Sequence, residues 1–173
     1  MLKGENIYLR AVEPEDVSRL LLWENNPQNW KVSDTEVPFS VKDMLNYVEN
    51  QQHIRSTGQL RLMICLNDEQ EAIGAIDLYD ANFKHLRAGI GILIADESHR
   101  AKGYASESLS LLIRYSRDFL GLYNLHCSIH ADNDDSVRLF EKFDFERVGI
   151  RKDWYFHKGE RIDEILYQKC LKK

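Results

Sequence analysis

The sequence predicts an α/β fold, and three observations carry that expectation. Short apolar or alternating runs, which read as strands, are interleaved with longer stretches whose apolar residues recur at helical spacing. One strand, Gly91-Ile92-Leu93-Ile94-Ala95, passes into a helix through a basic, glycine-bearing turn, His99-Arg100-Ala101-Lys102-Gly103-Tyr104-Ala105. Read along the chain, the elements run β α α β β β α β α β β, a sheet with helices inserted between its strands.

Each element has a local reason. Ile7-Tyr8-Leu9-Arg10 is the first strand. Pro14 opens a helix that runs to about Asn25, with Glu15 and Asp16 favourably placed for its dipole and Val17, Leu20 and Leu21 as its inner stripe. Asn26 to Phe39 reads as a polar loop. Ser40, with Asp43 three residues on, caps a second helix presenting Val41, Met44, Leu45 and Val48 on one face. Strands at Leu60–Asn67, Ala72–Tyr79 and Arg87–Ile94 follow, the first two joined by the acidic turn Asp68-Glu69-Gln70-Glu71. The helix from Ser106 to Phe119 repeats Leu109, Leu112, Ile113 and Ser116, then Phe119 and Leu120. Leu125–His130 alternates as a strand, Asn133–Phe143 is helical, and two last strands, Phe145–Phe156 and Ile162–Cys170, meet at a turn around Lys158-Gly159.

Composition bounds the function. With 173 residues, 43% hydrophobic and 29% charged, the chain reads as one domain over 1–173 with a real core. No apolar run approaches the ~20 residues of a membrane helix, and the start lacks a signal peptide's apolar core, so a cytoplasmic protein with no membrane partner is expected. A net charge of −5 argues against nucleic acid and suits a cationic substrate. Cys65, Cys127 and Cys170 are odd in number and lie in apolar segments, which predicts buried, reduced thiols and no metal site. His126 and His130 share a strand face but stand roughly 13 Å apart, too far to ligate one metal.

The basic turn carries the first chemistry. A strand turning into a helix leaves several N–H groups without partners, and with the helix dipole they favour a phosphate. Gly103 lets the backbone approach the anion, and Arg100 and Lys102 add positive charge. The turn reads as a pyrophosphate cradle.

Arg100-x-x-Gly103-x-Ala105 resembles the acetyl-CoA signature of the GNAT superfamily of N-acetyltransferases, Q/R-x-x-G-x-G/A. A second stretch, Asn133 to Phe145, resembles that family's motif N-x-x-S-x-x-L/I-Y-x-K-x-G-F, with agreement at Asn133, Ser136, Lys142 and Phe145. The opening Ile7-Tyr8-Leu9-Arg10 and Arg87-Ala88-Gly89 look like the ribosomal-protein and spermidine acetyltransferase branch. The resemblance implies a mixed sheet with helices on both faces and a V where Arg87–Ile94 and Leu125–His130, running parallel, splay apart around acetyl-CoA. It assigns the cofactor to the backbone of Ile92, Leu93 and Ile94, to Arg100, Ala101, Lys102, Gly103, Tyr104 and Ala105, and to Asn133, Ser136, Phe140 and Lys142. Gly89 and Gly91 suit the close approach that such a strand needs.

Three departures bear on mechanism. The family tyrosine that donates a proton to the leaving thiolate is Phe140 here, the family glycine after the lysine is Asp144, and a glutamate common in this branch is replaced by Gly89. Deprotonating the amine is the harder task, because an alkyl amine is on the order of one part in a thousand neutral at pH 7. Asp77, a charge inside the apolar strand Ile76-Asp77-Leu78, is the first carboxylate to consider, as base or as an anchor for the amine; strand alternation places it with Tyr79. Asp34 and Glu36 lie in the loop where relatives bind the amine. A solvated strand face and a surface loop are the competing explanations. The expected activity is acetyl transfer from acetyl-CoA to a primary amine, of a polyamine or a peptide N-terminus, in a chain that leaves room for a homo-oligomer. A non-catalytic acyl-CoA sensor is the alternative raised by Phe140 and Gly89.

Overall fold

A computed structural model describes residues 2–33, 35–50 and 53–171. Among them, eight strands form one sheet: β1 (Leu2–Lys3), β2 (Ile7–Ala11), β3 (Leu60–Leu66), β4 (Ala72–Asn82), β5 (Arg87–Ile94), β6 (Asn124–His130), β7 (Glu146–His157) and β8 (Glu160–Cys170). Their order across the sheet is β1-β2-β3-β4-β5-β6-β8-β7. The β5–β6 pair is parallel, and the other neighbours are antiparallel.

That parallel pair positions the site. It holds register over only three residue pairs, Arg87 with Asn124, Ala88 with Leu125 and Gly89 with His126. Beyond them β5 stays with β4, opposite Asp77, Ile76, Ala75 and Gly74, while β6 stays with β8. The two strands are therefore drawn apart by their outer neighbours, and the V expected from the resemblance is present. Gly74 assists at the far end: a Cβ there would collide with the Leu93 carbonyl oxygen. Glycine thus permits the close backbone contact between β4 and β5 there.

Helices cover both faces. Strand alternation sends Leu62 and Ile64 to one side and Met63 and Cys65 to the other. The first side packs against α5 (Tyr104–Asp118) and α6 (Asp134–Lys142), through Leu109, Leu112 and Phe140. The second packs against α1 (Val17–Glu24) and α3 (Val41–Asn50), through Val17, Leu20, Met44 and Val48. Burying a side chain such as Leu109 or Leu20 stabilises the fold by roughly 1.5–3 kcal/mol. Ser40 caps α3 as expected, its Oγ accepting the Asp43 N–H at 3.1 Å. The hairpin turn Lys158-Gly159 has positive φ at both residues (48° and 89°), the geometry that matches strand twist.

Four expectations need correction. Residues 26–39 are not all loop, because α2 spans Pro27–Ser33. Its apolar pattern is weak, and what builds it is Asn26, whose Oδ1 accepts the Gln28 N–H at 3.0 Å, followed by Pro27 with φ already helical. Val41 and Leu45 are exposed on α3, since its inner face is the narrower stripe Met44, Tyr47 and Val48. Phe119 is 77% exposed, because α5 ends at Asp118 and the chain leaves through Gly121 at φ 68°. Cys170 is exposed at the end of β8, whereas Cys65 and Cys127 are buried; all three are free thiols. A short helix, α4 (Ile54–Thr57), was not expected either.

Candidate active site

The splay opens into a cavity of about 750 Å³. Its floor is the diverging halves of β5 (Ile90 to Leu93) and β6 (Cys127 to His130). One wall comes from α6 and its cap, the other from α1, α2, β3 and β4.

The α6 wall holds part of the expected cofactor set. Asn133 caps α6, its Oδ1 accepting the Ser136 N–H at 3.2 Å, and both residues line the cavity. Phe140 also lines it, buried and edge-on against Phe145 with centroids 5.0 Å apart. Lys142 points from α6 to the start of α5 and donates to Ser106 Oγ at 3.0 Å. There the turn has the predicted open form. Ala101 and Gly103 are both left-handed (φ 58° and 86°), and a Cβ on Gly103 would meet nothing within 4 Å. The first backbone bond of the helix runs from the Glu107 N–H to the Gly103 carbonyl, so the N–H groups of Gly103 to Ser106 precede the ladder. Alternating left-handed residues before a helix N-terminus form an anion-binding concavity. Arg100 turns the other way, donating to the Ile94 and Ala95 carbonyls at 3.1 and 3.4 Å. The turn lies beside the cavity and is not among its lining residues, and the same holds for Ile94.

The opposite wall is built from charged side chains. Arg61 on β3 donates Nε and Nη2 to the two oxygens of Asp77 on β4, both at 2.8 Å, and Nη1 to Glu24 Oε1 at 2.5 Å. The three side chains are 10–23% exposed, and the Tyr47 ring lies 5.0 Å from the guanidinium. Burial would lower the proton affinity of Arg61, but Asp77 and Glu24 outweigh it and hold the guanidinium firmly charged. Burial also pushes the Tyr47 hydroxyl well above its ordinary value. The wall continues in Lys31 of α2, whose Nζ donates to Asp132 across the mouth.

The register places the expected catalytic candidates unequally. Asp77 and Tyr79 share a face of β4 and both line the cavity, as alternation required. Glu36 is exposed and lies outside the lining set, and Asp34 falls outside the described residues. His130 lines the cavity stacked on Tyr155 at 3.7 Å, while His126 packs edge-on against Tyr79 at 5.9 Å. Burial, with Arg87 nearby, holds His126 below its usual pKa. Glu164, behind the floor, accepts from Tyr155 Oη at 2.6 Å and from Arg151. Burial raises its carboxyl, and those hydrogen bonds more than reverse the effect.

Sequence reasoning missed Glu24, Arg61, Tyr47 and Tyr155. Glu24 and Arg61 stand 37 residues apart, so no local motif joins them. A charged residue inside the apolar run Leu60 to Leu66 was the available signal for Arg61, of the same kind that drew attention to Asp77.

Comparisons with known proteins agree with this geometry. The sequence model of the family described as "Acetyltransferase (GNAT) domain" matches residues 6–146. Spermidine N(1)-acetyltransferase of Vibrio cholerae serotype O1 is 28% identical over 174 residues, covering 98% of both chains. The uncharacterized N-acetyltransferase YoaA of Bacillus subtilis is 26% identical over 168 residues, with 96% of this chain and 94% of that one covered. A crystal structure of spermidine N-acetyltransferase from Vibrio cholerae in complex with CoA and spermine superposes with a TM-score of 0.87 at 22% identity, over 97% of each chain. A parallel pair splayed over a cavity, a left-handed turn opening the next helix, and a family match over most of the length lead to one conclusion: the chain belongs to the GNAT acetyltransferase family, N-acetyltransferases that take their acetyl group from acetyl-CoA.

Proposed function

We propose that residues 1–173 act as one domain that acetylates a primary amine of a polyamine. The observation that carries this reading is the Glu24–Arg61–Asp77 cluster in the wall opposite α6. It sets two carboxylates against one guanidinium and leaves a negative charge fixed beside the cavity. Both Asp77 oxygens accept from Arg61, a geometry that suits an anchor holding an ammonium in place better than a side chain free to swing as a base. Two relatives of similar length, from Vibrio cholerae and Escherichia coli, are spermidine N(1)-acetyltransferases, which supports the same acceptor class.

The residues present fit acetyl-CoA. The open Cβ position at Gly103 and the unladdered N–H groups of the first turn of α5 would take the pyrophosphate. Lys142, held next to that turn by Ser106, adds charge. The backbone of Ile92 and Leu93, freed from β6 beyond Gly89, faces the cavity and offers amide partners to the pantetheine arm. The cofactor supplies an activated thioester, while the protein aligns the amine and excludes water.

The test is release of free thiol from acetyl-CoA with a panel of amines: spermidine, spermine, an aminoglycoside and a peptide with a free N-terminus. Faster release with polyamines than with the peptide is expected. A preference for the peptide would overturn the polyamine assignment.

A further inference from the structure

Aminolysis of a thioester removes a proton from nitrogen and delivers one to sulfur, so a hydroxyl at the reacting centre is worth locating. The fork of the V is mostly apolar: Ile90, Ile92, Ile129 and Phe140 surround it, with the Ser128 hydroxyl among them. Tyr79 brings an aromatic hydroxyl to it. From β4 its ring extends over Gly89 of β5, where a Cβ would collide with Cε2 and Cζ of the tyrosine. A Cβ on Gly91 would lie 4.0 Å from its Cε1. Two glycines therefore make room for the ring at the level where β5–β6 pairing stops, opposite His126. The hydroxyl faces Ser128, two residues further along β6 and also in the lining. Chiefly through burial, its pKa is pushed up to about 12, so it stays protonated at neutral pH.

The other tyrosines of the cavity are committed elsewhere. Tyr155 donates its proton to Glu164, and Tyr47 lies beside Arg61 on the acceptor wall. Phe140 has no proton to give. Resting on the acetyl-transfer reading above, we infer that the Tyr79 hydroxyl is the proton-transfer group of this site, carrying the amine proton to the departing sulfur. The step starts from the neutral amine, the ammonium proton having already passed to solvent: as the N–C bond forms and the C–S bond breaks, the C–S electron pair stays on sulfur. Sulfur takes the phenolic proton while the phenolic oxygen takes one from nitrogen. Tyrosine ends neutral, so its high proton affinity does not obstruct the exchange.

Tyr79→Phe keeps the ring over Gly89 and removes only the hydroxyl. It should lower kcat by about 10²-fold, at the weak end of general acid–base catalysis, with acetyl-CoA affinity by calorimetry unchanged. A second readout does not depend on turnover. In the binary complex with CoA, ultraviolet titration of the thiolate should show the thiol pKa rising by about one unit in Tyr79→Phe, because a donor to sulfur has gone. A folded variant, by circular dichroism, with kcat within threefold of wild type and an unshifted thiol would overturn the assignment. Loss of CoA affinity instead would make Tyr79 a binding residue and overturn it as well. If wild type releases no thiol with any amine, the acetyl-transfer reading fails, and the thiol titration decides Tyr79 by itself.

Discussion

The two walls of the cleft are made of different materials. The α6 side and the adjoining turn work mainly through backbone: left-handed Ala101 and Gly103, the first N–H groups of α5, and the stretch of β5 that has parted from β6. The acceptor side works through side chains, with Glu24 from α1, Arg61 from β3, Asp77 from β4 and Tyr47 from α3 converging on one cluster. On the proposed reading, backbone groups meet what every acetyl-CoA shares, and they tolerate change in most side chains. A side-chain cluster can be rewritten residue by residue, which is what choosing among amines requires. The contrast teaches that, on this reading, the donor half of the site follows from fold and the acceptor half from composition.

Substitutions that strike one wall should leave the other's ligand alone. The largest effect is expected from Gly103→Glu. It puts a bulky anion in a left-handed position where nothing lies within 4 Å, and it should abolish acetyl-CoA binding in calorimetric titration while the fold persists. Retained affinity would break the comparison at its strongest point.

Next in size is Asp77→Asn, which leaves Arg61 short of a counter-charge. As an anchor, Asp77 should reveal itself by raising KM for the amine about tenfold or more, with acetyl-CoA affinity unaltered. A fall in kcat with an unchanged KM would move Asp77 from holding the amine to its chemistry.

The acceptor wall should also be the first to weaken in acid. Arg10 donates to both Asp16 oxygens at 2.6 and 2.7 Å, and the Glu13 N–H adds a third bond at 2.9 Å, tying β2 to the start of α1. Burial raises the Asp16 carboxyl, but these bonds bring it below its ordinary value. Its stabilisation is thus fully present above the unfolded carboxylate pKa, about 3.9, and disappears as pH falls through the lower folded value. Amide exchange in α1 should accelerate in that window before exchange in α5 does. At neutral pH, Asp16→Asn should cost about 3 kcal/mol in chemical denaturation, since it leaves half of a largely buried pair.

Smallest of all should be Phe140→Tyr. With Tyr79 supplying the hydroxyl, a second one beside Phe145 adds little, and kcat should change less than about threefold. In the Tyr79→Phe background the same change should restore part of the lost rate, and that difference would sharpen the account of the fork.

Much of the donor half was legible in the sequence. A helix that follows a strand through Arg100-Ala101-Lys102-Gly103 announces an open, glycine-bearing turn locally, because the groups that shape it are the backbone of the same few residues. Alternation also put Asp77 and Tyr79 on one face. Local signals failed where meaning depends on neighbours. Gly89 stood out as a glycine in a strand, but only the fold shows that its space is filled by the ring of Tyr79. Polar α2 escaped a search for apolar periodicity, and Phe119 fitted the period yet fell past the helix end.

The sequence by itself determined the αβ order, the open turn at Gly103, the helix caps at Ser40 and Asn133, and the motifs that resemble the family, since each rests on residues within one turn or strand of one another. Tertiary structure alone decided the rest: which strands part, which charges Arg61 gathers from 37 residues behind it and 16 ahead, and which tyrosine reaches the fork. Those are contacts between segments far apart along the chain, and a side chain's partner at that distance is set by sheet register and packing, which no local pattern encodes.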